Sequence, residues 1–188
     1  MITAFTIAKG GSGKTTSAAQ FAHYIADQGK RCLAIDLDPQ GQLSYTLQAY
    51  TSRGNVYDLL TGAPAADVIQ PLKKGLDAIP ASWDLSTLTT EKGSAKRLAK
   101  ALLPIRAQYD CIVIDTPPNS GEMQYNAIFA ADVLAFPLMA TVYDLQALLM
   151  ITDIVQGIRG GDLPRMGYFL TQYDRRGTIT RQAAEAIG

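Results

Sequence analysis

The stretch IAKGGSGKTT, Ile7 to Thr16, decides how the rest of the chain is read. It nearly satisfies the phosphate-loop pattern G-x-x-x-x-G-K-[ST], in which glycines let backbone N–H groups curl round phosphate oxygens. Counting back from Gly13, the first glycine of that pattern should stand at position 8, where the chain has Ala8. In its place come an extra lysine, Lys9, and the pair Gly10 and Gly11, followed by Ser12, Gly13, Lys14, Thr15 and Thr16. The half that grips phosphate and metal is intact. Lys14 is spaced to reach the β- and γ-phosphates of a nucleotide, and the Thr15 hydroxyl to ligate Mg²⁺. The helix that starts there adds its positive N-terminal end.

The flanks fit that reading. Ile2 to Ala8 is an apolar run ending in glycines, which predicts a buried strand. Thr15 to Gln28 carries Ala18, Ala19, Ala22, Ile25 and Ala26 at helical spacing, and Gly29 closes the helix. Arg31 to Ile35 is a second strand ending at Asp36. A strand–loop–helix–strand unit implies two strands in one parallel sheet. Further on, the pattern predicts a helix within Pro39–Tyr50, a short capped helix over Asn55–Gly62 and a strand over Gly75–Pro80. A helix over Glu91–Ile105 follows, with Lys92, Lys96, Arg97 and Lys100 on its polar side. Then come an apolar strand over Tyr109–Ile114 ending at Asp115, a helix over Gly121–Ala130 and a strand over Asp132–Pro137. An amphipathic helix over Tyr143–Ile158, a strand over Met166–Leu170 and a helix from near Thr178 complete the series. Strands alternating with helices predict a single α/β domain over residues 1–188, a three-layer sandwich with a mostly parallel β-sheet. Ligands in such sheets bind at the carboxyl ends of the strands.

Composition narrows the class. The chain has 188 residues, 47% hydrophobic and 18% charged, with formal net charge zero. That length supports one sizeable core. The charge balance advertises no nucleic acid, so any such contact needs a local patch. Cys32 and Cys111 both sit inside apolar runs and read as buried thiols in a reducing compartment. No apolar run approaches a membrane span, and the N-terminus lacks the basic region of a signal peptide.

Three features fall at predicted strand ends: KGGSGKTT, DLDPQG (Asp36 to Gly41) and DTPPNSG (Asp115 to Gly121). Mg²⁺ takes oxygen ligands and keeps several waters, so a nearby carboxylate often acts on it through water. Asp115, at the end of a buried strand, has the position of the Walker B aspartate, and Asp36 is a second candidate for the metal shell. Asp38, just beyond the strand, is free to orient or activate a water at the γ-phosphate. Gly11-x-Gly13-x-x-Thr16 also imitates the dinucleotide fingerprint G-x-G-x-x-G, with Asp36 at a suitable distance. Against that reading, the third glycine is a threonine. Trp83 and His23 are expected to be structural. The arginines Arg159, Arg165, Arg175, Arg176 and Arg181 make the end of the chain modestly basic, either as a solvated face or as a DNA patch.

Taken together, KGGSGKTT, DLDPQG and DTPP resemble the ParA/MinD-type ATPases, the deviant Walker A group of the P-loop NTPase fold. NVYDLL, GLDAIPAS (Gly75 to Ser82) and FLTQYDRR (Phe169 to Arg176) look like segments of the ParA-type partition ATPases in particular. The resemblance covers essentially the whole chain. It implies that Lys9 is the signature lysine, reaching across a dimer to the partner's nucleotide. It makes Lys14 the phosphate lysine and Thr15 the Mg²⁺ threonine. Asp38 becomes the water-activating aspartate, and Asp36 and Asp115 lie near the metal. ATP then drives a homodimer that binds DNA non-specifically, and a ParB-like centromere-binding protein stimulates slow hydrolysis. The setting implied is the bacterial cytoplasm, on the nucleoid through DNA, or a plasmid- or phage-borne system. Family members usually continue past the point where this chain stops. The resemblance therefore implies a domain without the family's usual C-terminal part, which supplies adenine contacts and much of the basic DNA surface. Thr171, Gln172 and Tyr173, at the end of the last strand, are the candidates here to flank the base.

Three other readings share the same loop. A MinD-like membrane-positioning ATPase ends in a basic amphipathic helix, and no such tail stands here, so no membrane is expected as a partner. A P-loop kinase or metabolic enzyme would use the same core on a small substrate. A nucleotide-binding scaffold without hydrolysis is opposed by the presence of Thr15 and Asp38.

Overall fold

A computed structural model of the chain describes residues 1–50, 53–88, 93–139 and 141–172. In chain order the strands are β1 (Ile2–Phe5), β2 (Cys32–Asp36), β3 (Gln70–Lys73), β4 (Leu76–Ile79), β5 (Cys111–Asp115), β6 (Val133–Leu138) and β7 (Arg165–Leu170). The helices are α1 (Lys14–Asp27), α2 (Gln42–Leu47), α3 (Val56–Thr61), α4 (Ala65–Val68), α5 (Arg97–Leu102), α6 (Glu122–Ala130) and α7 (Val142–Arg159). The strands form one sheet of order β3-β4-β2-β5-β1-β6-β7.

The sheet is parallel except at the β3 edge, which runs antiparallel to β4. β1 and β2 are not adjacent; both flank β5. β5 is the apolar centre of the sheet, with all five residues buried. Strand alternation sends Ile112 and Ile114 into a core shared with α3, α5, α6 and α7, and Cys111 and Val113 into one shared with α1 and α2. Two helical layers on one sheet are the three-layer sandwich expected, and register fixes the ends that matter. Asp36 pairs with Asp115, and Phe5 pairs with Asp115, so the carboxyl ends of β2, β5 and β1 lie in one row.

Several expectations need correction. The helix expected over Glu91–Ile105 is shorter: a 3₁₀ turn over Ser94–Lys96 leads into α5, which ends at Leu102. Gly93 sits at φ 88°, which breaks the helix before Ser94, and Pro104 lacks the N–H to carry it on. Lys92 lies outside the described residues; of the same polar face, Lys96 stacks over the Phe129 ring at 4.7 Å. Trp83 is not packed away. It starts a 3₁₀ turn capped by Ser82 and is 67% exposed. The edge strand β3 is an addition, tolerated because Pro71 needs no ladder partner for an N–H it lacks. The hairpin turns at Gly75, whose φ of 83° suits glycine and where a Cβ would meet Lys30 O at 2.9 Å. The helix expected from near Thr178 lies outside the described residues, as do Tyr173, Arg175, Arg176 and Arg181.

Candidate nucleotide site

Between β1 and α1 the chain makes the loop Lys9–Gly13, with Gly11 and Gly13 in the left-handed region at φ 72° and 91°. Only glycine adopts that conformation cheaply, and alternating it with ordinary residues turns successive N–H groups inward. Gly13 is also the N-cap of α1. It offers no side-chain cap, and the first turn of the helix holds no acidic residue. By contrast, α3 and α7 each start with a capping box that closes their own N–H groups, Asn55 with Asp58 and Thr141 with Asp144. The positive end of α1 is left for an anion from outside. A cleft of about 340 Å³ opens there, lined by Gly10 to Thr16 together with Asp38, Gln40, Gln42, Thr116, Pro118 and Gln172.

Lys14, in the first turn of α1, is buried, and its Nζ donates to Lys9 O at 2.7 Å. Burial holds its pKa below the usual lysine value, while the nearby charges of Asp115 and Asp38 pull it back up. Desolvation outweighs the two carboxylates, at the mouth of an anion site.

The two strand-end aspartates differ. Burial pushes Asp36 up to about 6, opposed by the hydrogen bonds it receives. Its Oδ1 accepts from Asp38 N at 3.0 Å, and its Oδ2 accepts from Ser44 N at 2.8 Å and Ser44 Oγ at 2.7 Å. Asp36 therefore braces the turn that carries Asp38. Ser44, which motif reading passed over, ties that turn to β4 by accepting from Ala81 N at 2.9 Å. Asp115 is fully buried, and neither carboxylate oxygen has a hydrogen-bond partner among the described residues. Burial raises its pKa to about 7. The Thr15 side chain and the Lys14 charge pull it down, while Asp36 and Asp38 push it up.

A buried carboxylate with two unused oxygens beside the Thr15 hydroxyl is what a Mg²⁺ shell needs. No group of three or more His, Cys, Asp or Glu among the described residues could hold a metal by itself. Mg²⁺ uses one or two carboxylates and takes its other ligands from phosphates and water. Asp38 lines the cleft, with Oδ1 accepting from Gln40 N at 3.0 Å.

Lys9 points away from this cluster. Its Nζ donates to Asp144 Oδ1 at 2.9 Å and to Thr141 Oγ1 at 3.0 Å. Asp144 is fully buried, its Oδ2 taken by Thr141 in the capping box of α7. Burial acts to raise the Asp144 pKa, but the hydrogen bonds from Thr141 and Lys9 outweigh it and hold it below the usual range. The signal for this anchor was in the sequence as TVYD, the [ST]-x-x-[DE] spacing. What Lys9 would do there was not. Of the candidates to flank the base, Gln172 lines the cleft, and both Thr171 and Gln172 reach the phosphate loop. Thr171 Oγ1 donates to Ser12 O at 2.8 Å and Gln172 Nε2 to Gly11 O at 2.8 Å, so both hold the phosphate loop. Of the basic residues near the end of the chain, Arg159 is committed to Phe129 O at 2.6 Å and to Asp162, whereas Arg165 is exposed on β7.

What this fold and cleft define is a nucleoside-triphosphatase domain of the P-loop class. A family model described as an AAA domain matches residues 1–162. The chromosome partitioning protein ParA of Caulobacter vibrioides is 38% identical over 192 residues, covering 95% of this chain and 72% of that protein. The chromosome-partitioning ATPase Soj of Thermus thermophilus is 36% identical over 181 residues, covering 95% of this chain and 71% of that protein. A solved structure of cobyrinic acid a,c-diamide synthase from Mycobacterium smegmatis, with bound ATP analog and magnesium, superposes with a TM-score of 0.87. It is 30% identical and covers 99% of this chain and 80% of that one. This chain belongs to the ParA/Soj family of partitioning ATPases.

Proposed function

We propose that this chain is a Mg-ATP-dependent switch that acts in DNA partitioning. ATP closes a homodimer, the dimer holds DNA non-specifically, and a ParB-like partner stimulates slow hydrolysis that releases it. The observation that carries the nucleotide reading is the uncapped N-terminus of α1, with Lys14 within electrostatic reach of Asp115 and Asp38. Thr15 and Asp115 would hold Mg²⁺, which would screen the charge developing on the phosphates, and Asp36 acts by bracing Asp38. Asp38 orients the attacking water and accepts its proton. Gly10 and Gly11 leave the loop mouth open: a Cβ built on Gly11 meets nothing within 4 Å. A second subunit can approach there. The cytoplasm is the setting this function requires, and no helix among the described residues is long and apolar enough to cross a membrane.

Lys9 is the link between nucleotide and dimer. Anchored on Asp144 it serves no phosphate of its own chain; released, it neutralises the γ-phosphate of the partner's nucleotide, as an arginine finger does. Lys9→Ala is expected to bind ATP about as tightly as the wild type and to stay monomeric with ATP and Mg²⁺. Light scattering decides this, and a variant that still dimerises removes the trans role. Asp38→Ala is expected to bind ATP and to hydrolyse it on the order of 100-fold more slowly. Unchanged phosphate release would take Asp38 out of the reaction. Partitioning itself is tested by a DNA mobility shift beside liposome sedimentation, each with and without ATP. ATP-dependent DNA binding is the expected result, and ATP-dependent liposome binding would instead make this a membrane-positioning ATPase.

A further inference from the structure

Strand β7 is the outer strand on the side of the sheet opposite β3, and it pairs only with β6 among the described strands. Five of its six residues are exposed, with Phe169 edge-on to Phe5 and Leu170 against the core at its carboxyl end. Its carboxyl end is also fastened. Thr171 N donates to Leu138 O at 2.7 Å, extending the β6–β7 ladder by one residue. The next contacts go to the phosphate loop: Thr171 Oγ1 to Ser12 O and Gln172 Nε2 to Gly11 O, each at 2.8 Å. The Thr171 hydroxyl also lies 3.2 Å from Leu138 O, but its one proton has the shorter path to Ser12. Gln172 takes a positive φ of 53°, uncommon for a residue with a side chain, in making its contact.

The two acceptors are consecutive loop carbonyls, and that has a geometric consequence. The loop peptides are trans, so each C=O and the N–H of the same peptide plane point in opposite directions. Holding Gly11 O on β7 turns the Ser12 N–H away from β7. Holding Ser12 O there does the same for the Gly13 N–H. Both donors then point away from these two contacts. Without these bonds, Gly11 and Gly13 would leave the two peptide planes free to rotate.

We propose that the end of β7 is a strap for the phosphate loop, with Thr171 and Gln172 as positioning residues that aim the Ser12 and Gly13 N–H groups at a bound phosphate. This rests on the nucleotide reading above and adds to it a role for the edge strand. Because phosphate binding needs the strapped loop, a bound nucleotide stabilises the end of β7 in return.

The test pairs two variants with one measurement on the unaltered chain. Thr171→Val keeps the shape and loses the hydroxyl; Thr171→Ser keeps the hydroxyl and loses the methyl that lies against Gly13. Titrated with a fluorescent ADP analogue and Mg²⁺, Thr171→Val is expected to bind roughly tenfold more weakly. Thr171→Ser is expected within about twofold of the wild type, on the same grounds. Hydrogen exchange on the wild type should slow over β7 when ADP is added. Wild-type affinity in Thr171→Val overturns the strap. Equal weakening in both variants also overturns it, because the methyl would then be the group that counts, and so does β7 exchange that ignores ADP. A wild-type chain that binds no ADP removes the nucleotide reading and the strap with it. Binding that Thr171→Val leaves intact removes the strap alone.

Discussion

Lys14→Ala is expected to abolish nucleotide binding, with ATP and ADP affinity falling by two to three orders of magnitude, or about 3–4 kcal/mol. Lys14 is buried in the first turn of α1, and its stem is held so that Nζ reaches only as far as the loop mouth, on Lys9 O. A phosphate entering the cleft meets that ammonium together with the loop N–H groups, and the charge-assisted bonds form where water is largely excluded. Alanine removes the charge and leaves Asp38 in the cleft and the buried Asp115 without the cation that both act on. Asp115, already raised to about 7 with the Lys14 charge pulling it down, then loses that pull and holds its proton more tightly. Isothermal titration with ADP and ATP, with circular dichroism to confirm the fold, checks this. Unaltered ATP affinity would sink the phosphate-loop assignment and everything built on it.

Asp115→Asn should separate stability from function. Neutralising the side chain is expected to raise the melting temperature of the nucleotide-free protein at pH 8 and to slow Mg-dependent hydrolysis by roughly 100-fold or more. The first effect follows from linkage. The Asp115 carboxyl rises from an ordinary value of 3.8 to about 7 in the folded chain, chiefly through burial. Across that window the folded chain keeps a proton that the unfolded chain has released, so stability falls as pH rises. Asparagine removes that slope, while Asp36, raised to about 6, keeps a smaller one of the same sign. Mg²⁺ needs the ionised carboxylate and must displace the proton, so the thermal stabilisation given by Mg-ADP should grow between pH 6 and 8 in the wild type. In Asp115→Asn that growth should be much reduced. Thermal shift across this pH range, with and without Mg-ADP, reads both. A variant less stable than wild type at pH 8, or one with undiminished hydrolysis, would show that Asp115 is a packing residue.

Much of this site was legible because its chemistry is local in sequence. Gly13, Lys14 and Thr15 act through one strand–loop–helix unit, and their spacing alone says what they can grip. Asp115 announced itself as the charge ending an apolar run. Boundaries were harder wherever one residue cut a pattern short. Gly93 and Pro104 trim the helix expected over Glu91–Ile105 at both ends. β3 escaped notice because Pro71 argues against a strand until the strand is known to be an edge. Trp83, expected to pack, is instead held in an exposed turn by the hydrogen bonds of Ser82 and Ser86.

The sequence by itself determined the class of fold, the glycine loop and the candidate residues for phosphate and metal, since each depends on neighbours within a few positions along the chain. Only the tertiary structure decided how those residues are held. Sheet order sets Asp36 and Asp115 in one row although 79 positions separate them, and the fold gives one a set of hydrogen bonds and leaves the other's oxygens without a partner among the described residues. The fold also parks Lys9 on Asp144, 135 residues away, and brings Thr171 to Ser12 across 159. These pairings come from parallel strands meeting at one end of a sheet. Register and crossover direction are set by the packing of two helical layers, which no local pattern encodes.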